Sequence, residues 1–217
     1  AHQYNQESNQ VECSLHHKPW TTDGPESNLY GLEPNFGCCT ANFHQGWPKF
    51  ASSLWMASHE GGLVAAAYSP CEVRTTVKGA AVHVIEETDY PFRDSVRITI
   101  NPSKPASFPL QLRIPAWANG ATIHVNGVAQ DNPKVGAFAR IERDWKRGDI
   151  IELRLPLEPR LLSGYKDSVS IERGPLVFSY PIGESWVKLQ DRGMTADWQV
   201  FPSTAWNSAL SINKKDE

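Results

Sequence analysis

Cys38 and Cys39 stand side by side in the string Gly37-Cys38-Cys39-Thr40-Ala41-Asn42, followed by His44-Gln45-Gly46-Trp47-Pro48-Lys49-Phe50. Two thiols just ahead of a predicted helix are well placed for chemistry. A helix N-terminus favours the thiolate and lowers its pKa. A bound metal lowers it further. A thiolate in this position serves as a nucleophile or as a soft metal ligand. The competing reading is a pair of buried, inert thiols. The chain has no CxxC, which argues against a zinc ribbon. Adjacent cysteines do not readily bridge each other, and a chain of 217 residues needs no disulfide framework.

Other residues of catalytic type read more plainly. His16 and His17 are adjacent, so their side chains diverge on a helix or a strand, and they read as surface histidines. Glu86 and Glu87 are neighbours on a predicted strand and face opposite sides, so they cannot flank one scissile bond. Cys71 follows Pro70 at a predicted strand start and reads as a small buried hydrophobe. Trp117 and Trp145 lie in strand-edge motifs and are expected in a core or a domain interface.

The elements that must carry these residues change along the chain. Residues 1–36 are polar and punctuated by Pro19, Gly24, Pro25, Gly31 and Pro34, without sustained periodicity, and read as long loops. Such loops are uncommon unless they line a site. Over 37–57 the pattern is helical. Thr40 is a plausible N-cap, and Phe43, Trp47, Phe50 and Leu54 fall on one face. Pro48 then belongs in the first turn of a helix beginning near Trp47, and Gly61-Gly62 end the segment.

Beyond Gly62 the period becomes two. Strands are predicted at Leu63–Tyr68, Glu72–Lys78, Ala81–Glu87, Ser95–Ile100, Phe108–Ile114, Thr122–Asn126, Phe138–Arg143, Ile150–Leu155, Val169–Glu172 and Leu176–Tyr180. Asn119-Gly120 and Asn126-Gly127 are turn signals. Many short strands without helices indicate an antiparallel β-sandwich. From Ile182 onward the chain reads as irregular, with Trp186, Trp198 and Trp206 packing it.

Composition narrows the class. Twenty-one Lys and Arg against 24 Asp and Glu give a net charge of −3, which argues against a nucleic-acid binder. No apolar run approaches the roughly 20 residues that span a bilayer, which argues against a membrane-spanning helix. Eight Trp against two Met fits a sugar-handling protein, because indole faces stack on sugar rings; a Trp-rich β-core explains the same count.

The string GCCTAN-x-HQGWPKF resembles the cysteine motif of glycoside hydrolase family 127, the β-L-arabinofuranosidases. Asn28–Phe36 (NLYGLEPNF) is similar to the approach to those cysteines. Leu112–Trp117 (LRIPAW), Asp144–Asp149 (DWKRGD), Glu172–Val177 (ERGPLV) and Trp206-Asn207 resemble later strings of the family in the same order. The resemblance therefore runs over essentially the whole chain.

It implies a mainly β chain, an antiparallel β-sandwich preceded by the last loop and helix of an (α/α)6 barrel. The domains implied are the end of the barrel over 1–60, the sandwich over 61–181 and an extension over 182–217, in a piece of a longer protein whose barrel lies upstream of Ala1. The function implied is retaining hydrolysis of L-arabinofuranosides or related sugars, with Cys38 as nucleophile and Cys39, together with Cys38, as zinc ligands. The partner implied is a carbohydrate substrate. Tyr4, beside His2, Asn9 and Gln10, resembles the family's polar, substrate-facing segment; a solvated loop is the competing reading. His44 follows the thiols and is the other candidate substrate contact, against a role in capping or packing. The chain departs from the family in one respect: it has no upstream E-x-C, since Glu12 and Cys13 are adjacent. The remaining zinc ligands and the acid/base glutamate are therefore not assigned to Glu12, Cys13 or Glu33, the zinc site is incomplete, and the chain alone is expected to be inactive. The alternative is a non-catalytic β-sandwich module, supporting or binding carbohydrate, with a structural cysteine pair. The compartment is left open between cytoplasm and secretion.

Overall fold

The computed structural model describes residues 3, 10–31, 42–209 and 211. They group into two compact units, one drawn from 1–48 together with 179–217 and the other from 49–178.

The second unit is built of strands. One sheet of four has the order β1-β2-β6-β9, from β1 (Trp55–Ala57), β2 (Leu63–Ala65), β6 (Ala106–Ile114) and β9 (Ala137–Trp145). A sheet of six has the order β3-β4-β5-β10-β7-β8, from β3 (Cys71–Val77), β4 (Ala80–Thr88), β5 (Ser95–Pro102), β10 (Asp149–Arg154), β7 (Thr122–Val125) and β8 (Val128–Ala129). Period-two residues of both sheets meet in one core: Val82, Val84, Ile98, Ile100, Ile151 and Leu153 from the six-stranded sheet, with Phe108, Leu110, Leu112 and Trp145 from the other. A third, small sheet follows, from β11 (Pro159–Ser163), β12 (Val169–Arg173) and β13 (Leu176–Val177).

The expectation of a mainly β, antiparallel fold holds, with one exception. β2 pairs with β6 in parallel, Leu63 opposite Leu110. Between them the chain enters the six-stranded sheet through β3, β4 and β5, so it returns beside β2 in the same direction. Trp145 is fully buried and its indole N–H donates to the Phe108 carbonyl at 2.9 Å, as a core tryptophan must.

The helical segment is shorter than the sequence period suggests. A 3-10 turn over Phe43–Gln45 leads into one α-helix, α1 (Gly46–Ser52), with Pro48 in its first turn as expected. Trp47 and Phe50 are exposed, and Leu54, the last of the expected stripe, lies beyond the helix. Trp55–Ala57 is instead claimed by β1, paired antiparallel with β2. Tertiary pairing has overridden a local period here. The Gly61-Gly62 pair closes that hairpin, and a Cβ on Gly62 would stand 1.9 Å from the Pro109 carbonyl oxygen.

The stretch from Ile182, expected to be irregular, contains a hairpin of β14 (Glu184–Asp191) and β15 (Ala196–Pro202). In the same unit, residues 10–31 are loops with one 3-10 turn over Pro25–Asn28, clipped to β15 by single bridges, Cys13 to Val200 and Tyr30 to Trp198.

Candidate functional site

Cys38, Cys39 and Tyr4 lie outside the described residues, as does Thr40. His44 lies in the 3-10 turn ahead of α1, with its side chain exposed. Beside it the Gln45 amide donates to the Asn42 side-chain oxygen, bracing the turn. His16 and His17 are exposed, as adjacent histidines should be.

Two clusters of titratable groups emerge in the described residues. The first surrounds Cys13, which the β15 bridge pins in place: Cys13 N donates to Val200 O, and Val200 N to Cys13 O, both at 2.8 Å. Its thiol sulfur accepts from the Gln3 amide at 2.8 Å and the Gln10 amide at 3.2 Å. Burial pushes the Cys13 thiol above its ordinary pKa, against the opposing pull of the two amides and Lys18. It is a thiol at neutral pH, not a poised nucleophile. Cys13, Gln3, Gln10, Glu12, Tyr30 and Glu184 contribute to the lining of a cavity of about 470 Å3 within this unit.

The second cluster is in the sandwich. On β4, Glu86 continues the inward row of Ala80, Val82 and Val84 and is 2% exposed, while Glu87 points to solvent. The carboxylate accepts from the Trp55 indole N–H at 2.7 Å and from the Ser69 backbone N–H at 2.9 Å. The Cys71 sulfur lies 3.9 Å away. Burial raises the Glu86 pKa to about 7, against the stabilising pull of those donors. Burial, and then the Glu86 charge, raise the half-buried Cys71 thiol to about 11. Cys71, expected as a small buried hydrophobe, is half-buried: it stands at the start of β3, beside Glu86, where the strand is only partly covered. Glu86 and Glu87 do face opposite sides of β4, which places one of them in the core. The alternation of β4 was the available signal.

A hollow on the outer face of the six-stranded sheet is lined by Glu87, Arg97, His124, Glu152 and Arg154, among others. Its charges largely satisfy one another: Arg97 pairs with Glu152 at 3.2 Å and with Glu87 at 3.9 Å.

Comparison with known proteins identifies the sandwich. Residues 62–157 match the family model described as β-L-arabinofuranosidase, GH127 middle domain. A GH127 β-L-arabinofuranosidase from Geobacillus stearothermophilus T6 superposes with a TM-score of 0.61 at 22% identity, over 82% of this chain and 32% of that one. A glycoside hydrolase superposes with a TM-score of 0.61 at 23% identity, over 77% of this chain and 37% of that one. A GH127 β-arabinofuranosidase does so with a TM-score of 0.61 at 18% identity, over 80% and 37%. At these identities the structural likeness is one of fold. The chain spans about a third of the length of those structures. No curated protein matches it in sequence. Residues 62–157 of the sandwich are thus similar to the GH127 middle domain.

Proposed function

We propose that this chain is part of a retaining glycosidase that acts on L-arabinofuranosides or related sugars, with Cys38 as the nucleophile. The observation that carries the reading is the GH127 middle domain at 62–157, in one chain with the motif GCCTAN-x-HQGWPKF ahead of it. The Cys38 thiolate attacks the anomeric carbon, and a C–S bond forms as the bond to the leaving oxygen breaks. A carboxylic acid protonates that oxygen; the resemblance puts this acid on no residue of the present chain. Water then attacks the same carbon and gives a proton to that carboxylate, the C–S bond breaks, and the sugar leaves with retained configuration while the thiolate and the acid are regenerated. Carbohydrate is the partner this reading requires, and the rest of the polypeptide supplies an (α/α)6 barrel.

Zinc belongs to the same reading, with Cys39 and Cys38 as ligands; a bound zinc would keep thiols deprotonated at neutral pH. Among the described residues no three His, Cys, Asp or Glu converge to hold a metal ion. Cys13 in particular is engaged by two amide donors. The described residues alone therefore do not fit the ion.

The test is hydrolysis of an aryl β-L-arabinofuranoside by a polypeptide carrying this chain together with its barrel. Release of arabinose that disappears in Cys38→Ala supports the reading. Undiminished release in Cys38→Ala overturns it. The 217-residue chain alone is expected to release none.

A further inference from the structure

The hairpin β14–β15 carries an aromatic row that the proposed chemistry does not use. The Tyr30 and Trp186 ring centroids are 5.2 Å apart at 40°, and Trp198 stands edge-on to Trp186 at 6.2 Å. The Trp186 indole N–H donates to Glu184 at 2.8 Å, which holds the ring in one orientation while 46% of the residue stays exposed. Trp186, Tyr30 and Glu184 line the 470 Å3 cavity with Glu12 and Gln10, and Tyr180 stands on its wall, 63% exposed. That volume lies in the ordinary range for a small-molecule site.

We propose that this cavity binds one residue of a neutral, polyhydroxylated glycan, with Trp186 as the stacking platform and the Glu12 and Glu184 carboxylates as acceptors for sugar hydroxyls. An aromatic ring beside two carboxylates suits either a sugar or an organic cation. The partners of the carboxylates decide between them. Glu184 already accepts the Trp186 N–H. Glu12 already accepts the Ser14 hydroxyl at 2.8 Å and has Lys18 at 3.9 Å. Their charge is in part spoken for, which weakens attraction for a cation but leaves lone pairs for hydroxyl donors. The wall also offers amide and phenol groups, and hydroxyls can both give and receive hydrogen bonds. The choice of pentose probes rests on the glycosidase reading above; the chemistry of the cavity does not.

The experiment is a titration of the 217-residue chain, with the tryptophan indole N–H resonances followed by NMR. The probes are L-arabinose, an arabino-oligosaccharide and tetramethylammonium chloride. The oligosaccharide is expected to move the Trp186 resonance, and Trp186→Ala and Tyr180→Ala each to weaken its affinity about tenfold. Tyr180 is exposed, so that variant keeps the fold if Trp186→Ala does not. No saccharide shift, unchanged affinity in both variants, or a Trp186 shift with tetramethylammonium alone would each overturn the site. Hydrolysis that depends on Cys38, without a saccharide shift here, would sink the cavity and leave the glycosidase reading standing. A saccharide shift alongside Cys38-independent hydrolysis would do the reverse.

Discussion

Glu86 makes the sandwich less stable as pH rises, and the effect can be worked from its surroundings. Its carboxyl is 2% exposed, between Trp55 on β1, Ser69 and Cys71 at the start of β3, and the Tyr68 ring. Burial lifts its pKa from 4.5 to about 7. The folded state therefore holds a proton that the unfolded chain releases between those values. Because the folded state binds more protons, the unfolding free energy falls as pH rises. The stabilisation is complete below about pH 4.5, declines towards pH 7 and is lost above it. The interval corresponds to about 3 kcal/mol at most. Glu86→Gln removes the titration. An amide oxygen can serve only one of the two donor directions well, so the variant should lose about 1 kcal/mol at pH 4.5. At pH 8.5 it should equal or exceed the parent, which there buries an ionised carboxylate. Urea unfolding of both proteins from pH 4.5 to 8.5 reads this directly. A difference between the two that stays constant across the range would refute the reasoning. So would a Glu86 carboxyl carbon that titrates near 4.5 by NMR.

Other positions give sharp outcomes. Gly62→Ala drives a methyl group into the Pro109 carbonyl and should lower the unfolding free energy by about 2 kcal/mol or more, read by urea titration; a loss within experimental error would show that the hairpin relaxes freely. Asn126 sits at φ 52° in the β7–β8 turn; its amide donates to Asp149 at 2.8 Å, and its oxygen receives the Ile150 N–H at 2.8 Å. Asn126→Ala should cost about 1–3 kcal/mol in the same assay. Burial raises both the Cys13 and Cys71 thiols, so in the native protein at pH 7.5 iodoacetamide should label each more slowly than in urea; native labelling as fast as in urea would contradict the assigned environments.

The sandwich was legible in the sequence because its strands are half buried. Val96, Ile98 and Ile100 alternate with Arg97 and Thr99, and the structure places the first set in the core. Asn126-Gly127 marked its turn because only residues tolerant of positive φ fit there. The hairpin β14–β15 was missed for the converse reason. Every residue of β14 is exposed, so nothing forces an apolar alternation into its sequence. The helix was overextended because Leu54 and Trp55 suit either a helix face or a strand, and pairing with β2 decided for the strand. Of the candidate site, His44 is placed, exposed ahead of α1, while Cys38, Cys39 and Tyr4 were legible through motif resemblance alone. The Cys13 cavity joins residues nearly the full chain length apart, a juxtaposition no local pattern carries.

In the proposed reaction Cys38 forms a covalent bond to the sugar. This is tested by mass spectrometry of the Cys38 peptide, after a longer polypeptide that contains this chain is acid-quenched during turnover of an aryl β-L-arabinofuranoside. One pentosyl group is expected on Cys38, none on Cys39 and none in Cys38→Ala. Arabinose release with Cys38 unmodified and a pentosyl ester on a carboxylate in its place would contradict it.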